Sequence, residues 1–299
     1  MQLPQGLERW FEAACLGLTD AGHPRGVDFS TPLGEEALIS PRSVSWRVFK
    51  NPVSVFIGGI AAVILELAEP SVRTGVWEHS RFRDDPVGRL RRTGSAAMIT
   101  VYGARSVAKP MIARVSRMHA KVQGVTPQGK EFSALDPRLL TWVHATAAYG
   151  FLTAYDRYVR SLETRQLNEF YREGLEIARL YGADAPPRGL LELECLFDSM
   201  RQSLEPSAIV LEFLDIVGEA PALPRAFLWL QRLLVRAAVD ILPPWVRARL
   251  ALDGRYGLRP VERPLVRMLA ALADRVVLRR SAPAQSCIRL GLPSAYLYG

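Results

Sequence analysis

Cysteine is scarce in this chain: 299 residues carry three, Cys15, Cys195 and Cys287, with no Cys-x-x-Cys pair. That excludes a disulfide framework and a zinc ribbon, and it fits a reducing compartment, so a cytoplasmic location is expected. Long apolar runs are missing too. The most apolar stretch, 53–65, spans 13 residues between Pro52 and Glu66, short of the ~20 that a spanning helix needs. It is expected to be a buried helix. The first 18 residues set Glu8, Arg9 and Glu12 among apolar side chains and lack the basic-then-apolar order of a secretory leader. There is no repeat period, no low-complexity tract and no Gly/Ser linker.

Several catalytic signatures are likewise absent. The sequence has no G-x-S-x-G, no G-x-G-x-x-G and no H-E-x-x-H, and no Glu has a His three residues later, which removes the di-iron helical bundle. Gly124 to Lys130 matches G-x-x-x-x-G-K, but Glu131 follows where a phosphate loop needs Ser or Thr for magnesium. With Thr126-Pro127-Gln128 between its glycines, this segment reads as a short hairpin or ordered loop.

What the chain does contain is an ordinary globular share of apolar residues, 49%, with 23% charged. The net charge of +8 fits an anionic partner, peripheral contact with a membrane included, and fits a basic soluble protein equally well. The 38 Lys and Arg read as dispersed, without the clustering and aromatic interleaving of a nucleic-acid reader, so no specific nucleic acid is expected.

Beyond Pro52, apolar residues recur at spacings of three and four, the signature of amphipathic helix. The clearest face joins Leu223, Phe227, Leu230, Leu234, Ala237 and Ile241, ending before Pro243-Pro244. Similar patterns occupy 86–102, 111–122, 137–158, 167–180, 190–203, 209–217 and 260–278. Prolines 70, 86, 137, 187, 206, 224 and 260 stand at or near helix starts, where a missing N–H costs least. The expected fold is one all-α domain with a single hairpin or ordered loop. Residues 1–45 read as an N-terminal extension, 46–280 as the helical domain and 281–299 as a tail on the surface or at an interface.

Four histidines, His23, His79, His119 and His144, are the candidate ligands. Arg89, Arg92 and Thr93 stand at i, i+3 and i+4 and share one helix face, with His119 on the next periodic helix. A cationic face opposite an imidazole could hold an anionic cofactor or substrate. A solvated basic face with a buried threonine explains the same pattern.

An ordered set of segments resembles the latex-clearing protein (rubber oxygenase) and MpaB-type oxygenase family. They are Ile57-Gly58-Gly59; Leu65-Glu66-Leu67-Ala68-Glu69-Pro70; His79-Ser80-Arg81-Phe82; Asp85-Pro86 leading to Arg89, Arg92 and Thr93; Val115 to Gly124 around His119; Ala134-Leu135-Asp136-Pro137; Trp142-Val143-His144; and Leu242-Pro243-Pro244-Trp245-Val246-Arg247. Together they cover roughly 45–280.

The resemblance implies a globin-like core with additional helices that binds haem b and uses dioxygen. It places His119 as the axial iron ligand, with His144 in support or as the ligand itself. Arg89 and Thr93 would line the oxygen side, and Arg92 stands where polymer-cleaving members carry a distal lysine. Arginine keeps its proton and cannot ligate iron. Glu69 stands where many members have His before Pro. Glu66 or Glu69 is the candidate general base, and His79 is a further imidazole for the distal side. The implied activity is that of a haem-dependent oxygenase or related oxidoreductase on a small or lipid-like apolar substrate, not rubber. The alternative is a non-catalytic helical protein that binds lipid, a prenyl ligand or haem at a membrane surface.

Overall fold

The computed structural model describes residues 27–80, 82–220, 223–252 and 254–298. Five helices come first: α1 (Val44–Phe49), α2 (Pro52–Ala68), α3 (Pro70–His79), α4 (Pro86–Tyr102) and α5 (Arg105–His119). An antiparallel hairpin follows, β1 (Gln123–Val125) paired with β2 (Glu131–Ser133). The remaining helices are α6 (Pro137–Tyr158), α7 (Thr164–Glu173), α8 (Leu175–Leu180), α9 (Leu190–Met200), α10 (Ala208–Glu219), α11 (Leu228–Asp240), α12 (Pro244–Arg249), α13 (Arg263–Arg275) and α14 (Ala282–Arg289). The fold is all-α with one hairpin, as the apolar periodicity predicts. His23, Cys15 and Arg81 lie outside the described residues.

The 53–65 run forms most of α2, which is buried almost all round. Its start is specified twice: Pro52 occupies the first turn, and the Asn51 side chain accepts from the backbone N–H of Val53 and Ser54, both at 3.1 Å. The Asn51 amide also donates to Ala270 O at 2.9 Å, tying this end of α2 to α13. Among the described residues no single helix is long and apolar enough to cross a membrane.

Helix α6 runs antiparallel along α2, and the two approach backbone to backbone. A Cβ on Gly58 would lie 2.7 Å from Gly150 O, and one on Gly150 would lie 2.3 Å from Gly58 O. Any side chain at either position would push the helices apart. Two turns along, the Trp142 indole N–H donates to Leu65 O at 3.3 Å. The contact that follows, Glu66 beside Thr146, belongs to the site described below.

The segments flanking the central helices close a second apolar cluster with α1, α4 and α5, built on Phe29, Trp46, Met98, Tyr102, Ile112 and Cys287. Arg289 is its bracket. Only 1% exposed, it donates to three carbonyls: Tyr102 O at 2.7 Å, Phe29 O at 2.9 Å and Glu35 O at 2.8 Å. In this way a buried charged side chain stays hydrogen-bonded, and the Glu35 carboxylate nearby supports its charge.

Three boundaries differ from the periodicity. Helix α5 begins at Arg105 and passes through Pro110, because a proline near the first turn leaves only one backbone carbonyl short of a donor. Helix α11 begins at Leu228, not Leu223, because Gln231 is turned inward: its amide donates to Val217 O and Ala220 O and accepts from Leu223 N. These bonds satisfy the carbonyls that α10 leaves open at its end. The 167–180 pattern is split between α7 and α8 at Gly174.

The hairpin closes through Gly129, whose φ of +82° suits glycine, with Gly129 N donating to Thr126 O at 2.8 Å. Phe132 then lodges between Gly75 of α3 and Gly124 of β1.

The glycine crossing gives a paired prediction. Gly58→Ala should lower the thermal midpoint by several degrees, since overpacking typically costs 1–3 kcal/mol and about 2–4 °C follows each kcal/mol in a chain of this size. Gly59→Ala, whose Cβ would meet only the Phe151 ring at 3.7 Å, should leave the midpoint unchanged or raise it slightly. Circular dichroism melts of both variants check the pair. Equal effects would show that the backbone approach is not what limits position 58.

Candidate active site

Three elements deliver titratable side chains to one region: α2 brings Glu66, α4 Arg89 and α5 His119, while α6 carries His144 beside Gly174. Glu66 is set so deeply that burial pushes its carboxyl up to about 7, against the opposing pull of Arg89 and of the Thr146 hydroxyl. Burial lowers Arg89, while Glu66 supports its charge and Arg92 opposes it. Burial lowers His119 as well, with Arg89 repelling its protonated form. Arg89 therefore links the carboxylate on one side to the imidazole on the other.

His144 stands apart from these charges, and burial alone takes it down to about 4. Both imidazoles are neutral at neutral pH. Neither ring hydrogen-bonds within the described residues, and the Nδ1 of His119 is wholly buried without a partner. A buried polar atom left so is costly and is commonly a place where something else binds. Gly174 leaves room beside the His144 ring: a Cβ there would sit 3.4 Å from its Cε1 and Nε2.

Glu66, Arg89, His119 and His144 each keep some accessible surface despite this depth, and no ion pair within 4 Å joins Glu66 to Arg89. Glu66, Arg89 and His119 border an open crevice and do not form a closed polar knot. The first half of α4, 86–97, is nowhere fully buried, so this wall packs less tightly than α2 or α6. Two open depressions lie elsewhere, one of about 390 Å³ near Asp215, Arg232 and Tyr256, the other of about 550 Å³ near Asp156, Arg160 and Arg267. No histidine lines either.

The other candidates fall into two groups. Thr93 joins Arg89: its Oγ1 accepts from the guanidinium at 2.8 Å and donates to the Arg89 carbonyl. Arg92, Glu69 and His79 are not brought in. Arg92 is more than half exposed and paired with Asp85 at 3.1 Å, a residue that also caps α4 by accepting from Gly88 N. Glu69 is spent on a helix cap, its Oε2 accepting from Val72 N at 2.8 Å. His79 is exposed at the end of α3 beside the hairpin glycine Gly124.

Two contributors escape the sequence reading, Thr146 and Gly174. Thr146 is fully buried, and its hydroxyl donates its proton to Val143 O at 2.9 Å. Its only sequence mark is a polar residue on the buried face of an apolar helix. Among the described residues no three His, Cys, Asp or Glu side chains converge to hold a bare metal ion.

Comparison with known proteins adds one match. The family described as ER-bound oxygenase mpaB/B'/rubber oxygenase, catalytic domain, matches residues 46–275, from within α1 to the end of α13 and including Glu66, Arg89, His119 and His144. Searches among curated proteins and among solved structures gave no match.

The electrostatics predict a pH signature. A carboxyl whose folded value is about 7 binds its proton more tightly than in the unfolded chain. It therefore favours folding below about pH 4.5, and that advantage is lost as pH rises to about 7. The difference amounts to about 3 kcal/mol. Glu66→Gln should accordingly be more stable than the wild type at pH 8 and match it near pH 4.5. His144, depressed to about 4, acts in the opposite sense, losing stability as pH falls from about 6.5 to 4, and is common to both proteins. Urea unfolding at the two pH values isolates the Glu66 part. A gain of equal size at both would show that burial does not raise the Glu66 carboxyl above its ordinary range.

Proposed function

The chain belongs to the mpaB/B' and rubber oxygenase catalytic-domain family, and on that footing we propose a haem b-dependent oxygenase-type oxidoreductase acting on a small or lipid-like apolar substrate. One observation carries the cofactor: a neutral imidazole, that of His119, with a buried nitrogen lacking any partner, at the edge of a crevice that also holds Glu66 and Arg89. A neutral, unpartnered imidazole is the donor that a haem iron requires. The residues present fit the group.

His119 would hold the iron, and His144, equally neutral and with space beside it at Gly174, would support the cofactor. Haem b, when bound, supplies the activation of dioxygen. The chain's own contribution is orientation and proton handling. Arg89, fixed at one nitrogen by Thr93, keeps its other donors for negative charge that develops in the crevice.

Glu66 is the proposed general base, taking a proton from an activated C–H of the substrate. A carboxyl with a value near 7 is part ionised at neutral pH and basic enough to accept. Thr146 steadies that carboxylate from behind. Glu69, with its oxygen engaged by a backbone N–H, is the weaker candidate. Arg92 and His79 have no part in this scheme.

Hemin titration of the purified chain tests the proposal. A Soret band should grow to about one equivalent per chain. His119→Ala should abolish or transform it, and His144→Ala should weaken retention without changing the ligand set. The reverse pattern would move the ligand to His144. A protein that gains no Soret band and carries bound lipid would be a binding protein and not an oxygenase.

A further inference from the structure

The positive charge is more concentrated than its count along the whole chain conveys. Residues 86–130 contain nine of the 38 Lys and Arg and none of the 30 Asp and Glu, leaving 29 cations against 30 acids everywhere else. The net charge of this protein is therefore essentially that of α4, α5, Lys121 after α5 and Lys130 at the hairpin turn. On α5 the cations occupy the solvent side. Lys109, Arg114 and Arg117 are exposed there, Lys121 continues the stripe past the helix end, and Lys130 sits at the hairpin turn. None of these five has an ion-pair partner among the described residues.

Bulky apolar side chains stand exposed among them: Met118 (53%), Val125 (54%) and Leu135 (41%). The three belong to one end of the molecule, because Val122, three residues after His119, accepts from Ala134 N at 2.9 Å. The opposite side of α5 is occupied inward by Ala108, Met111 and Ile112.

We infer that the exposed face of α5, with the hairpin that continues it, docks on an anionic phospholipid bilayer. Charge complementarity names the partner's sign, and the protruding apolar residues name its kind. Cations alone would serve a nucleic acid or an acidic protein, whereas a stripe of cations with methionine, valine and leucine at its end matches the boundary between headgroups and acyl chains. His119 is the last residue of α5, so the docked face adjoins the crevice, and a lipid-like substrate would reach it from the bilayer. This last link rests on the proposed function, while the docking does not.

Vesicle sedimentation of the full chain needs no activity and no cofactor. The wild type should bind phosphatidylcholine vesicles containing about 30 mol% phosphatidylserine at about 0.1 M salt, bind pure phosphatidylcholine much less, and weaken in about 0.5 M salt. Arg114→Glu/Arg117→Glu should cut binding at least about tenfold, and Val125→Asp should cut it while leaving the charge stripe in place. Arg275→Glu/Arg279→Glu, the same reversal at other exposed positions, should have a much smaller effect. Absence of binding to anionic vesicles would overturn the inference, as would equal losses from the two reversals. It would also fall if duplex DNA were bound more tightly than vesicles at physiological salt and lost with Arg114→Glu/Arg117→Glu.

Discussion

The structure depends first on two glycines that let two helices touch through their backbones. At Gly58 and Gly150 even a methyl group would overlap a carbonyl of the opposite helix, so at this point α2 and α6 meet with no side chain between their backbones. That closeness fixes their relative rotation and register. Leu65 O then meets the Trp142 indole, and the next residue, Glu66, meets Thr146. A wider crossing would leave the carboxylate without the hydroxyl that steadies it. The crevice is thus a consequence of an apolar contact two turns away.

The crevice itself is electrostatically unfinished. Most buried charges of this chain are matched: Asp240 faces three arginines and a tyrosine hydroxyl, and Arg289 is met by carbonyls. Glu66, Arg89, His119 and His144 are treated otherwise. Burial dominates every one of their shifts, and the attraction between Glu66 and Arg89 acts across a gap. Such a group costs stability in the empty fold and is relieved by a ligand with complementary donors, which is how binding sites commonly differ from structural ion pairs.

The exposed cations answer to a different constraint. No acids lie between residues 86 and 130, so the cations of α4 and α5 find their partners outside the segment, Arg92 at Asp85 and Arg105 at Glu176, or face solvent. The looser packing of the first half of α4 is consistent with that arrangement. The same segment carries Arg89, Thr93 and His119, so the cationic face and one wall of the crevice are parts of a single stretch of chain.

Helix periodicity is written locally, in side chains three and four residues apart, and from it the sequence by itself determined the all-α class and the buried helix at 53–65, while the turn residues between Gly124 and Gly129 marked the hairpin. Arg89 with Thr93 was legible because i and i+4 share a face wherever the helix packs. The rest was not, because it depends on which way a face turns and on what stands opposite. Glu66 and Glu69 are three residues apart and chemically alike, yet one enters the crevice and the other caps a helix, since α2 ends between them. Arg92 turns to Asp85, and Gln231 turns inward to close the end of α10. Thr146, Gly174 and the depth that moves Glu66 and His144 away from their ordinary values exist only once distant segments meet, because desolvation is a property of the assembled fold and not of any residue's neighbours in sequence.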